Sequence, residues 1–377
     1  MSENTDFQYV ESAADLDILC AQLAGADWMT LDTEFLREKT YYPKLCLLQV
    51  AIPGVVACVD PLSIEDISPL LDVIYNASTT KVMHAARQDM EILYHLRGAL
   101  PAPVFDTQIA ALLLGFPDQV GYGTLVSELL GVQLDKLHTR ADWSQRPLSP
   151  EQIRYAADDV IYLAQVYEQL IERLDKLGRL DWLSGDFERL VQPELYSNLP
   201  HQAWLRVKGI NRIKGASLSV VQALAAWRES LAQRLDRPRG WLLRDDVMID
   251  IARHLPANLA ALGRIRGLNE RIVSKNGEQL LGLVTEARDR EPEPLPASGK
   301  RKRLKPEQEA LVDALMAVVR LCALENSLNP AVLASRKQLE LLVAGNRDTE
   351  VMQGWRSKLA GERLQAMLDG ELVLKVT

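Results

Sequence analysis

Apolar and polar positions alternate from Trp28 to Phe35, so a strand there turns Met29, Leu31, Thr33 and Phe35 one way and Asp32 and Glu34 the other. Two more strands are predicted over 45–52 and 55–59, joined at the turn dipeptide Pro53-Gly54 as a hairpin. With the first they make a three-stranded antiparallel start. Apolar spacing of three and four predicts helices over 64–75, 90–96, 107–114 and 124–130, the last stopped by Gly131, with short strands at 81–85 and 104–105. Ser149-Pro150-Glu151 reads as an N-cap and first turn, opening a helix that runs to about residue 177. Strands interleaved with helices predict an α/β domain, a mixed sheet flanked by helices.

Beyond Glu194 only helical spacing remains, clearest over 217–235 and 246–254. Ala223-Leu224 ahead of Pro238 is echoed by Ala314-Leu315 ahead of Pro330, 92 residues later, which predicts two copies of a small all-α module. The organisation expected is an α/β domain over 1–190, a first helical domain over 200–290, a basic, Pro-rich linker over 291–304 containing Lys300-Arg-Lys-Arg303, and a diverged second helical domain over 305–377.

Composition adds an asymmetry. Net charge is −8, yet residues 1–190 hold 14 Lys and Arg against 29 Asp and Glu, and residues 191–377 hold 29 against 22. An acidic half suited to cations is joined to a basic half suited to phosphates. The acidic N-terminus resembles no secretory signal, and no apolar run is long enough to span a membrane. Cys20, Cys46, Cys58 and Cys322 are scattered, with no CxxC pair, which argues for reduced thiols in a cytoplasmic protein and against zinc.

Asp32 and Glu34 must share one patch of space, where like charges repel and desolvation is costly, so a divalent cation is the natural compensation. The plainer reading is a solvated strand edge. Asp89, after a strand and at a helix start, suits either role, because acids favour helix N-termini. On the long helix Tyr155 and Asp159 stand at i and i+4, on one face, and Asp158 competes for it.

Taken in order, Leu-Asp32-Thr-Glu34-Phe, His84-Ala-Ala-Arg-Gln-Asp89, Asp142-Trp-Ser-Gln-Arg-Pro-Leu-Ser149 and Tyr155-Ala-Ala-Asp-Asp159 resemble the DEDD superfamily of 3′-to-5′ exonucleases, in its Tyr-containing subgroup, and within it the ribonuclease D family. The segment around Ala225-Ala-Trp227-Arg-Glu resembles the HRDC module, two of which accompany that family's nuclease domain. The resemblance implies a ribonuclease-H-like fold and selects Asp159 over Asp158. It also implies two Mg2+ or Mn2+ ions: Asp32 bridging both, Glu34 and Asp159 holding one, Asp89 the other, and Tyr155 orienting the nucleophile. Four carboxylates without Cys or His suit such hard cations, and at least one carboxyl pKa should be raised in the empty protein.

The implied substrate is RNA with a free 3′ end, tRNA precursors above all, with the basic helical half holding its body. His84, Arg140, Trp143 and Arg146 are of the right types for phosphate contact or base stacking near the site, or equally for loop packing. A 3′-to-5′ DNA exonuclease and an inactive RNA-binding scaffold are the alternatives. The first is weakened by the lack of a helicase P-loop, the second by the presence of all five expected side chains. No protein partner and no membrane association are readable.

Overall fold

The computed structural model describes residues 6–135, 141–295 and 304–373. Lys300–Arg303 lies outside them. Six strands form one mixed sheet in the order β1-β4-β3-β2-β5-β6. The strands are β1 (Gln8–Val10), β2 (Trp28–Leu36), β3 (Lys44–Ile52), β4 (Val55–Val59), β5 (Thr80–Met83) and β6 (Val104–Asp106). β3 and β4 are the predicted hairpin, antiparallel from Ile52 opposite Val55 to Leu48 opposite Val59, with Gly54 at φ +83° in the turn. β1 joins β4 in parallel, and β5 joins both β2 and β6 in parallel.

Helices α1 (Ala13–Leu23), α2 (Ser68–Ile74), α3 (Arg87–Arg97), α4 (Thr107–Ala111), α5 (Tyr122–Leu130) and α6 (Pro150–Lys176) flank this sheet. α6 begins where predicted, because Ser149 and Gln152 form a reciprocal capping box and Pro150 occupies the first turn. It packs along β4 and β5 with Val160, Leu163, Val166 and Leu170 buried. The helix predicted over 107–114 is α4 followed by a 3-10 turn over Leu112–Leu114, and Gly131 caps α5 in the left-handed conformation at φ +70°. A short α7 (Ser184–Leu190) follows.

The chain divides into two compact units: the residues up to Glu34 with Leu45–Gln192 and the chain from Arg301 onward, and Phe35–Lys44 with Pro193–Lys300. In the second unit α8 (Ala216–Leu235), α9 (Arg239–Leu242), α10 (Asp245–His254), α11 (Leu259–Gly263) and α12 (Glu270–Ala287) enclose a core that includes Trp204, Val221, Leu224, Met248 and Leu280. Its segment 35–44 is clasped by α8. The Tyr41 hydroxyl donates to Glu229, and the Tyr41 and Tyr42 N–H groups donate to Asp236 Oδ1 at 2.9 and 3.0 Å.

The internal echo is visible as elements. α13 (Pro306–Glu325), α14 (Pro330–Leu333) and α15 (Arg336–Val343) repeat the long, four-residue and medium helices α8, α9 and α10. This second set makes no core of its own. Val312, Leu315, Val319 and Leu339 share one cluster with Leu113, Leu125, Val166 and Leu170 of the first unit. Arg179 reinforces that cluster, donating to Leu113 O and Asn326 O at 2.6 Å each.

Candidate active site

Strand β2 delivers the first two acids. Met29, Leu31 and Thr33 are buried on one side, as the alternation requires. On the other side Thr30 donates to Ala51 O at 3.3 Å and Val160 O at 3.1 Å, turning the face that carries Asp32 and Glu34 toward α6. The third acid rides on α3, which opens with Asp89 in its first turn. Asp106 fixes that opening. Its carboxylate accepts from the N–H groups of Ala85 and Ala86, at 3.1 and 2.8 Å, while also capping α4 through Gln108. Ala85 is thereby held at φ +55°, a left-handed conformation that costs a non-glycine residue roughly 1 kcal/mol. Thr33 then donates to Asp89 Oδ1 at 2.5 Å, tying the helix start to β2.

The fourth acid and the tyrosine come from α6. Asp158 forms an ion pair with Arg154 at 2.8 Å, whereas Asp159 acts electrostatically on Asp32 and Glu34. The Tyr122 hydroxyl donates to the Asp159 carbonyl and anchors this turn of the helix. Trp143, almost fully buried, lies beside the Tyr155 ring with centroids 6.2 Å apart. A cavity of about 420 Å³ opens here, lined by Leu134, Pro150, Arg154, Tyr155, Asp158 and Asp159. It is of a size that takes a nucleotide-sized ligand.

Burial, and after it mutual repulsion, decides the electrostatics. The Glu34 carboxyl is pushed up to about 9, first by burial and then by Asp32, Asp159 and Asp89. Asp32, Asp89 and Asp159 are likewise raised above the usual carboxylate range, burial being the largest cause for each. Among the described residues no Lys, Arg or His forms an ion pair with any of the four. Four crowded acids without a cationic side chain are the donor set that hard divalent cations take. Among the described residues no three His, Cys, Asp or Glu side chains stand close enough to hold a metal ion as they are. Donor type and charge fit the cations the resemblance implies.

Three of the four residues named for the substrate, His84, Trp143 and Arg146, lie within the described residues, each with partners inside the protein. All five N–H donors of Arg146 are engaged inside the protein, by Asp60 at 2.6 and 2.7 Å and by the carbonyls of Trp143, Gln145 and Cys46. Both ring nitrogens of His84 are within hydrogen-bond distance of protein groups, Thr107 Oγ1 at 2.9 Å and Val120 O at 3.1 Å. Trp143 packs against Tyr155, and Arg140 lies outside the described residues.

One residue escaped the sequence reading. Gln49 is fully buried on β3, and among the described residues neither its amide nitrogen nor its oxygen has a hydrogen-bond partner. It stands opposite Cys58, so the two side chains share a face of the sheet. Cys58 has its thiol pKa raised by burial and then by Asp159, Asp158 and Asp32, which puts that face on the acid side. The sequence signal was one polar residue inside the apolar run 45–52.

The mixed sheet and the acids that act on one another across it are those of a 3′-5′ exonuclease, and comparison with known proteins agrees. Residues 7–175 match the 3'-5' exonuclease family model, and residues 217–284 match the HRDC domain. The chain belongs to the ribonuclease D family. It is 38% identical to the ribonuclease D of Bartonella henselae over 378 residues, covering 98% of this chain and 92% of that one. It is 40% identical to that of Gluconacetobacter diazotrophicus, covering 97% and 94%. The crystal structure of Escherichia coli RNase D, an exoribonuclease involved in structured RNA processing, superposes with a TM-score of 0.81 at 31% identity over 97% of this chain and 99% of that one. The protein is a 3′-5′ exoribonuclease.

Proposed function

We propose that this exoribonuclease trims the 3′ ends of structured RNAs, tRNA precursors among them, in the cytoplasm, with two Mg2+ or Mn2+ ions held by Asp32, Glu34, Asp89 and Asp159. The observation that carries this reading is the set of four buried acids that raise one another's pKa and that, among the described residues, form no ion pair with a cationic side chain. Two such cations, when bound, lower the pKa of an attacking water and neutralise charge on the phosphate and leaving oxygen. The chain's own residues do the rest. Tyr155 orients the water by hydrogen bond. Thr33 and the α3 start hold Asp89 in place, and Trp143 packs behind Tyr155. The water oxygen bonds to phosphorus, the 3′ oxygen leaves with the bonding pair and takes up a proton, and a 5′-mononucleotide is released.

RNA is favoured over DNA by the ribonuclease D relatives, and the involvement of the Escherichia coli enzyme in structured RNA processing supports a folded substrate. The test is a tRNA carrying a 3′ extension against single-stranded DNA of equal length, each with Mg2+, Mn2+ or chelator. Stepwise shortening of the tRNA with either metal, and none in chelator, is expected. Equal rates on DNA would overturn the substrate assignment, and activity in chelator would overturn the metal assignment.

A further inference from the structure

The helical unit contains a cavity of about 720 Å³ bounded by the turn Lys208–Arg212, the start of α9 and one side of α10. Seven of its lining residues are Lys or Arg and three are Asp. Their pairing separates the cations that build the wall from those that remain. Arg228 donates to Asp245 Oδ1 and Leu243 O at 2.7 Å each, and Asp245 also accepts from the Lys208 N–H at 2.9 Å. Arg206 reaches the fully buried Glu229 at 3.1 Å, and Arg239 Nε lies 3.4 Å from its other oxygen, at ion-pair distance without a hydrogen bond. Arg244 pairs with Asp246 at 3.3 Å.

That leaves Lys208, Arg212 and Arg253, none of which pairs with an acid among the described residues. One acid, Asp250, stands with them. Three like charges on one concave wall repel, and the focused field of a cleft favours an anion there. None of the lining residues is aromatic, so the cavity offers charge and N–H donors but no stacking platform for a base.

We infer that this cavity is a backbone-phosphate site: Lys208, Arg212 and Arg253 hold phosphodiester groups of the RNA body without reading its sequence. The inference rests on the exoribonuclease reading and names where in the helical unit the substrate is gripped. The same chemistry would hold free phosphate, and the test separates the two.

Fluorescence anisotropy of a tRNA-sized RNA, in chelator to prevent hydrolysis, compares the full-length protein with the Lys208→Gln, Arg212→Gln, Arg253→Gln triple variant across a salt series. Each lost phosphate contact removes about 0.7 to 0.9 from the slope of log affinity against log salt, or about 5-fold at ~0.1 M salt, so the triple variant is expected to bind roughly 100-fold more weakly with a slope shallower by about 2 to 3. Oligo(A) and oligo(U) should lose affinity alike, and hydrolysis of a dinucleotide by the metal-loaded protein should not change. Asp250→Asn should tighten RNA binding a few-fold, a gain that a misfolded variant cannot mimic. An unaltered slope in the triple variant, or unaltered affinity in Asp250→Asn, overturns the site. So does calorimetric binding of inorganic phosphate that is lost in the triple variant while RNA affinity stays the same. Failure of the wild-type protein to hydrolyse the dinucleotide would instead count against the activity and leave the binding result standing.

Discussion

Ionising the acid cluster of the metal-free protein is expected to destabilise it. Glu34 is raised from its ordinary 4.5 to about 9 by burial and by the neighbouring Asp32, Asp159 and Asp89. An acid raised on folding holds its proton more tightly folded than unfolded. Its stabilising contribution is therefore complete below the unfolded value, near pH 4.5 for Glu34, and is lost as pH climbs through the folded value, near pH 9. At 1.36 kcal/mol per pH unit, Glu34 alone corresponds to about 4 kcal/mol between about pH 5 and pH 8. This is a ceiling for the single group, because the four acids share one repulsion and titrate together. At about 2 to 4 °C per kcal/mol for a unit of this size, Tm should fall by roughly 10 °C over that range. Scanning calorimetry in chelator reads it directly. The Asp32→Asn, Asp159→Asn double variant removes two of the titrating acids and their repulsion, so its profile should be shallower while the part set by burial of Glu34 and Asp89 remains, and saturating Mn2+ should flatten the wild type. A Tm that is constant or rises with pH in chelator, or one that falls as steeply in the double variant, would show that these acids are not raised by burial and mutual repulsion.

Asp60→Ala should cost about 3 to 5 kcal/mol by urea unfolding, because it strips a half-buried Arg146 of its paired carboxylate and leaves Tyr9 and Ser63 without an acceptor; a loss below about 1 kcal/mol would remove the pair from the account. Gln49→Leu should raise the stability of the metal-free protein by about 1 to 3 kcal/mol, since it deletes an unpaired buried amide. The same variant should lose turnover if that amide serves the loaded site, and a stable, fully active variant would show that it does not. Trp355→Ala should lower the stability of the first unit by about 3 kcal/mol, because Trp355 stacks on Trp182 with centroids 4.5 Å apart and donates to its carbonyl at 3.0 Å. An unchanged Tm would mean that the C-terminal helices are held by their apolar core alone.

Features set by neighbours along the chain were legible in the sequence. The alternation of β2, the Pro53-Gly54 hairpin, the Ser149 N-cap and the Gly131 stop each depend on residues a few positions apart. Features set by distant partners were not. Asp106 caps α4 in the structure, and no nearby residue shows that it also holds the backbone of Ala85 and Ala86. Arg146 suits phosphate contact or loop packing equally in the sequence, and nothing local shows its pairing with Asp60, 86 residues away. The echo of α8–α10 in α13–α15 was visible as spacing, but spacing does not say which core an apolar face joins. No sequence signal places segment 35–44, and Glu229 and Asp236 show where it is held.

If Asp32, Glu34, Asp89 and Asp159 hold the metal ions, this 3′-5′ exoribonuclease needs both the metal and those carboxylates to act. A single time course on RNA labelled at its 5′ end, with a free or a blocked 3′ terminus, tests it most directly. With Mg2+ or Mn2+ the wild type should shorten the free RNA one nucleotide at a time and leave the blocked RNA intact. Asp32→Ala and Asp159→Ala should bind the RNA and cut neither, and Tyr155→Phe should retain partial activity. Internal cleavage, or full activity in either Asp variant, would contradict the account.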